Sequence, residues 1–198
     1  MQEKIVIGIT GSFGSGKTTV AKMFKRLGAK IVDADRIAHQ LIRPQTRIYR
    51  KIIDVFGDGI IAKQRNIDRK KLAKIVFNDR NLLQRLNKIV HPEIIKSIKK
   101  EIKRIPKGVI VLDAPLLIEA GLKSIVDKII VVNINSKIQM QRLLKKTASE
   151  RDDIIKRIRA QVPLSVKIRQ ADFVIDNSGK INQTEKQIKK IWRLLWRN

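Results

Sequence analysis

Residues 8–19 read GITGSFGSGKTT, and the rest of the chain can be interpreted outward from this glycine-rich segment. It matches every fixed position of the phosphate-loop pattern G-x-x-x-x-G-K-[ST] with Gly11, Gly16, Lys17 and Thr18. A β-branched run at residues 4–7 predicts a buried strand before the loop, and apolar residues at helical spacing predict a helix after it. This strand–loop–helix context is the one in which the pattern binds a nucleoside triphosphate.

The chemistry of the loop follows from its backbone. Its glycines let consecutive N–H groups point at one anion, and the helix that follows adds the positive end of its dipole. Lys17 is expected to reach the β- and γ-phosphates, and the Thr18 hydroxyl to bind Mg²⁺. The predicted nucleotide contacts are the loop residues Gly11, Ser12, Phe13, Gly14, Ser15, Gly16, Lys17, Thr18 and Thr19. The alternative is a glycine turn that happens to precede a lysine.

The composition limits the class of protein. With 198 residues the chain is long enough for a full core, and its length suggests one domain, with or without insertions. It has no cysteine, which excludes disulfides, thiol nucleophiles and cysteine-bound zinc, and suits a reducing cytosol. No signal segment precedes the first predicted strand, and no apolar run approaches the ~20 residues that span a membrane, so we expect a soluble, cytoplasmic protein.

The net charge is unusually high. The chain has 44 lysines and arginines against 18 aspartates and glutamates, which gives +26. Such an excess favours anionic partners, including nucleotides, coenzymes and nucleic acids. However, the basic residues are spread over many predicted helices, and aromatic residues are only 4% of the chain, which leaves few stacking platforms for single strands. We interpret most of the charge as solvated helix faces, and expect no specific nucleic acid and no membrane as partner.

Four further strands are predicted from short apolar runs at residues 30–32, 109–112, 129–132 and 173–175. Helical periodicity separates them, which predicts a parallel α/β core, and Ser136 is expected to cap the helix after the fourth strand. The second strand leads into Asp33 and Asp35, at the sheet edge where such folds bind ligands. The third ends at Asp113, which is expected to help hold Mg²⁺.

Two long segments depart from the strand–helix alternation. From residue 37 to 105 the pattern is helical throughout, which predicts an all-helical insertion with Pro92 in the first turn of a helix. Residues 147–168 are highly charged, and such a segment is typical of a mobile flap. The last helix carries Trp192 and Trp196 among its apolar residues, and we expect it to pack on the sheet.

Several segments together resemble the dephospho-CoA kinases, and the resemblance covers the whole chain. They are GITGSFGSGKTTVA (8–21), IVDAD (31–35), the His91-Pro92 pair, DAPLLIEAG (113–121), RIRAQ (157–161) and ADFVIDNSG (171–179). Phosphate loops occur in many families, but this combination in this order is specific. The resemblance implies transfer of the ATP γ-phosphate to the ribose 3′-hydroxyl of dephospho-CoA, with ATP and Mg²⁺ as cofactors.

The same resemblance implies a P-loop NTPase-type α/β fold, with a parallel sheet of about five strands flanked by helices. It divides the single kinase domain into three parts, in agreement with the periodicity. These are a core (1–33, 106–146 and 169–198), a helical CoA-binding insertion (34–105) and a small helical lid (147–168).

The resemblance also implies roles for individual residues. Asp33 is the expected base, and Asp35 helps to orient the acceptor or binds it through water; alternatively, both only cap the next helix. His91 is expected to contact the substrate or to form a buried hydrogen bond. Arg142 resembles a catalytic arginine that clamps phosphate, with a solvated helix arginine as the alternative. Asn177 resembles the residue near the adenine of ATP, with a turn-forming role as the alternative.

One departure from the family pattern lies at the lid entrance, where Lys146-Thr147 replaces the usual Arg-Asp pair. Lysine keeps the charge but lacks the planar fork of arginine. Two other functions remain open at this point. One is a different P-loop kinase acting on a nucleotide or small metabolite, and the other is a nucleic-acid-binding ATPase. The oligomeric state is open as well.

Overall fold

The structure is a computed structural model that describes residues 4–147 and 150–195. The described chain forms two compact units, one comprising the residues up to Asp33 and from Ile102 onward, the other Ala34–Glu101. The first unit contains a parallel sheet with the strand order β2-β3-β1-β4-β5. Its strands are β1 (Lys4–Gly11), β2 (Lys30–Asp33), β3 (Gly108–Asp113), β4 (Lys128–Asn133) and β5 (Phe173–Asp176). The predicted parallel α/β sheet is confirmed.

The helices in chain order are α1 (Lys17–Arg26), α2 (Ala34–Leu41), α3 (Arg47–Phe56), α4 (Arg69–Asn78), α5 (Arg80–Lys103), α6 (Ser136–Lys146), α7 (Arg151–Arg159), α8 (Leu164–Arg169) and α9 (Ile181–Leu195). No helix within the described ranges is long and apolar enough to cross a membrane.

One face of the sheet packs against α1 and α9. Alternate residues of every strand point to this face, and the buried ones form a single apolar cluster with Val20 and Phe24 of α1 and Ile188 and Ile191 of α9. The Phe24 and Trp192 rings lie 6.4 Å apart at a tilt of 50°. The last helix therefore packs on the sheet as expected, while Trp196 lies outside the described residues.

Two aspartates connect neighbouring strands at their amino ends. The Val6 N–H donates to Asp127 at 2.7 Å, and the Ile129 N–H donates to Asp172 at 2.8 Å. Partial burial alone would raise the pKa of Asp172, but the Ile129 N–H and the Lys128 ammonium together lower it below the ordinary value of 3.8. The ionised form of Asp172 is thus favoured in the folded protein.

The Ala34–Glu101 unit has its own apolar core, to which α3 and α4 contribute Ile48, Ile52, Leu72 and Val76. The prediction of an all-helical insertion is wrong in one detail. Between α3 and α4 the chain makes two short 3₁₀ turns, Asp58–Ile60 and Lys63–Arg65, and an antiparallel bridge joins Ile61 to Ile67. The reason is packing, because Ile60 at the end of the first 3₁₀ turn and Ile67 in the bridge are both buried in the core of the unit.

Two further details of the sequence interpretation are corrected. Pro92 lies inside α5 and not in a first turn, since the apolar face before it continues after it to the buried Ile98. Proline inside a helix removes one backbone hydrogen bond and clashes with the carbonyl four residues earlier, so α5 continues through Pro92 against the local preference of that residue. Ser136 is the first residue of α6, and the cap is Asn135, whose side chain accepts from the N–H groups of Lys137 and Ile138.

Candidate active site

The phosphate loop connects the carboxyl end of β1 to α1. Gly16 immediately precedes α1 with a φ of 90°, and a Cβ added there would lie 2.2 Å from Nδ2 of Asn177. Both the left-handed backbone and the lack of space therefore require glycine at this position. No side chain caps the N-terminus of α1, and no acidic residue lies in its first turn. This helix start presents N–H groups and the positive end of a dipole to an anion.

Lys17 is the first residue of α1 and is 93% buried, since its exposed fraction is 7%. Its ammonium donates to the carbonyl oxygens of Ser12 at 2.9 Å and Gly11 at 3.2 Å. The positive charge of Lys17 is therefore held against the backbone carbonyls of the phosphate loop. By contrast, Thr18 and Thr19 are exposed. The chain thus brings together a cation, a set of backbone donors and an accessible hydroxyl around one loop.

Two carboxylates end the strands on one side of β1. Asp33 is the last residue of β2 and Asp113 the last residue of β3, and the two are direct partners in the parallel pairing. Asp113 also pairs with Ile9 of β1, so the three residues form one row across the sheet. Ile9 belongs to the cluster that packs against α1 and α9, and residues in one row point to the same face. Both carboxylates therefore lie on the α1 face, at the edge from which the phosphate loop leaves β1.

Asn177 supports the phosphate loop from the side of β1 opposite to Asp33 and Asp113. It is buried, its Nδ2 donates to the Ser15 carbonyl at 2.8 Å, and its Oδ1 accepts from the Thr184 hydroxyl at 3.0 Å. The Arg142 guanidinium donates to the Asn177 carbonyl at 2.8 Å, and its side chain is otherwise exposed. The structure thus brings Arg142, Asn177 and the phosphate loop together. Their predicted contacts with ATP stay predictions.

The remaining candidates, Asp35 and His91, belong to the Ala34–Glu101 unit. Asp35 is exposed in the first turn of α2, and His91 is half-buried within α5. Their proposed contacts with the substrate stay predictions.

The sequence interpretation missed several residues that hold the site. Gln139 of α6 is buried and donates to the carbonyl oxygen of Phe13, while Gln161 accepts from the Phe13 N–H. Lys167 is fully buried and forms an ion pair with Glu119 at 2.8 Å. One local signal was available for Gln139, since it shares the buried face of α6 with Leu143, four residues on.

Comparisons with known proteins agree over nearly the whole chain. The family model for dephospho-CoA kinase matches residues 5–183. A dephospho-CoA kinase from Carboxydothermus hydrogenoformans is 48% identical over 186 residues, which cover 92% of this chain and 90% of that protein.

Solved structures show the same similarity. A crystal structure from Thermus thermophilus matches over 100% of both chains, with a TM-score of 0.84 and 26% identity. A dephospho-CoA kinase from Campylobacter jejuni matches over 96% of both chains, with a TM-score of 0.67 and 25% identity. The resemblance noted in the sequence is thus confirmed at the level of the whole chain, and the protein belongs to the dephospho-CoA kinase family.

Proposed function

We propose that the protein transfers the γ-phosphate of ATP to the ribose 3′-hydroxyl of dephospho-CoA, giving coenzyme A and ADP. The observation that carries the proposal is the pairing of Asp33 with Asp113 at the sheet edge from which the phosphate loop leaves. A kinase needs a triphosphate site and an acidic group for the acceptor hydroxyl, and the residues that we assign to these two roles lie at this edge. Membership of the family then supplies the identity of the acceptor.

Asp33 acts as the base in this proposal. It orients the 3′-hydroxyl by a hydrogen bond, and it takes the proton as the oxygen attacks the γ-phosphorus and ADP leaves. Asp33 is half-buried at the end of β2, and so remains accessible from the ligand edge. Lys17 and the loop N–H groups stabilise the charge on the transferring group, and Arg142 is expected to add a second cation on that group.

Thr18 and Asp113 are the residues that would hold Mg²⁺. Magnesium in kinases is held by one or two protein oxygens together with phosphate oxygens and water. Among the described residues no group of three or more His, Asp or Glu could hold a metal, so a site completed by the nucleotide suits the available donors. Bound Mg²⁺ would neutralise part of the phosphate charge.

We assign dephospho-CoA binding to the helical insertion, residues 34–105, with Asp35 and His91 as contacts. The lid, residues 147–168, is proposed to exclude water during transfer. In the described part of the lid, Gln161 already contacts the phosphate loop, which supports placing this segment over the triphosphate. The cytoplasm is the proposed site of the reaction.

Asp33→Asn tests the proposal, because it keeps the size of the side chain but removes its charge and basicity. We expect kcat to fall by roughly 10²–10⁴-fold, the usual range for general-base help, with ATP affinity nearly intact. Lys17→Ala is the contrast, and should weaken both ATP binding and turnover. Turnover of dephospho-CoA is compared with direct ATP titration for each variant. An Asp33→Asn enzyme within a few-fold of the parent would place the base elsewhere, and Asp35 would be tested next.

The choice of acceptor is tested separately by measuring ATP turnover with dephospho-CoA and with a panel of nucleosides and nucleotides. Turnover that prefers a nucleotide would favour the other P-loop kinase activity. Hydrolysis of ATP stimulated by nucleic acid would instead favour a nucleic-acid-binding ATPase, the function class suggested by the +26 charge.

A further inference from the structure

One peptide of the phosphate loop, between Ser12 and Phe13, is held at both of its polar groups. Its carbonyl accepts from the Lys17 ammonium at 2.9 Å and from the Ser15 N–H at 3.1 Å. Its N–H donates to the Gln161 side chain at 2.9 Å. In a planar trans peptide the N–H and the carbonyl point in opposite directions. An acceptor on the N–H side therefore fixes the direction of the carbonyl that contacts Lys17.

The next peptide is held by a second glutamine. Nε2 of Gln139 donates to the Phe13 carbonyl at 2.5 Å and to the Ser12 hydroxyl at 2.9 Å. Gln139 has an exposed fraction of only 6%, so these bonds form in a site with little access to water. Phe13 is therefore held from both sides, at its N–H by one glutamine and at its carbonyl by another.

The backbone itself determines which end of each amide faces Phe13. An N–H can only donate, so Gln161 must present its oxygen, and a carbonyl can only accept, so Gln139 must present its nitrogen. Gln161 thus acts as a hydrogen-bond acceptor and Gln139 as a hydrogen-bond donor toward the same residue, Phe13, and substitution can test this difference.

The turn that carries Gln161 is itself anchored. The Val162 N–H donates to Glu119 at 2.9 Å, and Glu119 forms the ion pair with the fully buried Lys167. The Arg157 guanidinium lies 5.5 Å from the centre of the Phe13 ring, within the range of a cation–π contact. Arg157 of α7 therefore contacts the side chain of Phe13, while Gln161 in the turn after α7 holds its backbone.

We propose that Gln139 and Gln161 are positioning residues for the phosphate loop, which fix the peptides on either side of Phe13 and so direct the Ser12 carbonyl toward Lys17. The inference rests on the proposed use of ATP. When the triphosphate binds, Lys17 exchanges its carbonyl partners for phosphate oxygens, while the two glutamines keep the loop in shape. A loop that does not have to reorganise loses less affinity on binding.

The test uses the same substitution at both positions in the full-length chain, Gln139→Glu and Gln161→Glu. Each adds one negative charge next to Phe13, so repulsion of ATP affects both variants and largely cancels in the comparison. A carboxylate at 161 still accepts from the Phe13 N–H, whereas a carboxylate at 139 faces a carbonyl and has no proton to donate. We expect ATP to bind at least about tenfold more weakly to Gln139→Glu than to Gln161→Glu, because the first leaves buried polar groups without partners.

Methionine provides the second pair of variants, since it has similar length and no hydrogen-bonding amide. Gln139→Met also avoids burying a charge, and so keeps the proposal testable if Gln139→Glu does not fold. Gln161→Met removes one hydrogen bond and should raise the Kd and the KM for ATP by roughly five- to tenfold, and Gln139→Met removes two and should raise them by at least as much, while the KM for dephospho-CoA is unchanged. ATP affinity is measured by calorimetric titration with ATP alone, and thermal unfolding without ligand serves as the control for folding.

Equal ATP affinities for the two glutamate variants, or parental affinities for both methionine variants, would show that the glutamines only fill space. Because the titration requires no acceptor, it is independent of the proposed transfer to dephospho-CoA. A parent protein that binds ATP but does not phosphorylate dephospho-CoA would contradict the proposed function and leave this inference standing.

Discussion

Replacing Lys167 with methionine should destabilise the protein far more than the same replacement of a lysine at the surface. The Lys167 side chain has no exposed surface, and its ammonium contacts Glu119 at 2.8 Å and the Pro115 carbonyl at 3.0 Å. Methionine fills nearly the same volume, so little cavity forms. What remains is a Glu119 carboxylate whose side chain is 15% exposed and whose Oε2 has no hydrogen-bond partner.

The expected magnitude follows from that uncompensated charge. Removing one partner of a buried ion pair costs about 3–5 kcal/mol. For a domain of this size, 1 kcal/mol lowers Tm by about 2–4 °C, so Lys167→Met should lower Tm by roughly 6–20 °C. Adding Glu119→Gln to Lys167→Met should recover most of this loss, because the amide is neutral and still accepts from the Val162 N–H.

Urea and thermal unfolding measure the effect, with Lys128→Met as the matched control. Lys128 pairs with Asp172 at 3.2 Å, but the two side chains are 47% and 35% exposed, so its replacement should cost less than about 1 kcal/mol. The reasoning is refuted if Lys167→Met and Lys128→Met destabilise equally, or if the double variant is no more stable than Lys167→Met.

Three further outcomes are expected. Asp172→Asn should destabilise the protein near pH 7. The difference in the free energy of unfolding between variant and parent should shrink as the pH falls below 3.8 and through the lowered pKa of Asp172. Urea unfolding at about pH 7 and pH 3 measures this difference. Gly16→Ala should destabilise the protein and weaken ATP binding far more than Gly57→Ala, because both glycines have a positive φ but only a Cβ at position 16 would clash with Asn177. Calorimetric titration and unfolding compare the two variants, and equal losses would contradict the proposed clash. Lys146→Arg should raise kcat/KM if this position contacts phosphate, and equal rates for Lys, Arg and Ala would exclude that contact.

The strands could be predicted because each has a continuous apolar run, and the end of β3 at Asp113 could be predicted as well, but the ends of other strands could not. β1 extends beyond its apolar run to Gly11, and β4 extends to Asn133. The backbone ladder continues into these residues because their N–H and carbonyl groups still pair with the neighbouring strand. A hydrophobic pattern reports burial of side chains and not the extent of that ladder.

The phosphate loop and the carboxylates could be predicted because each depends on local sequence. The residues that hold the loop could not. Gln161 contacts Phe13 across 148 positions, and Gln139 contacts it across 126. The spacing from Leu143 indicates that Gln139 is buried, but nothing near either glutamine in the sequence identifies Phe13 as its partner. The same holds for Lys167, whose burial depends on Glu119, 48 residues earlier in the chain.

The strand order has a consequence for folding during synthesis. Every pairing in the described sheet involves β3 or β4, since β1 and β2 do not pair with each other. No part of the sheet can form until the ribosome has released residue 108, where β3 begins. At about 5–20 residues per second, the apolar β1 therefore waits for roughly 5–20 s without a strand partner. During that interval only the Ala34–Glu101 unit, with its own core, has all the residues it needs to fold, and the nascent β1 is the segment that a chaperone would have to shield.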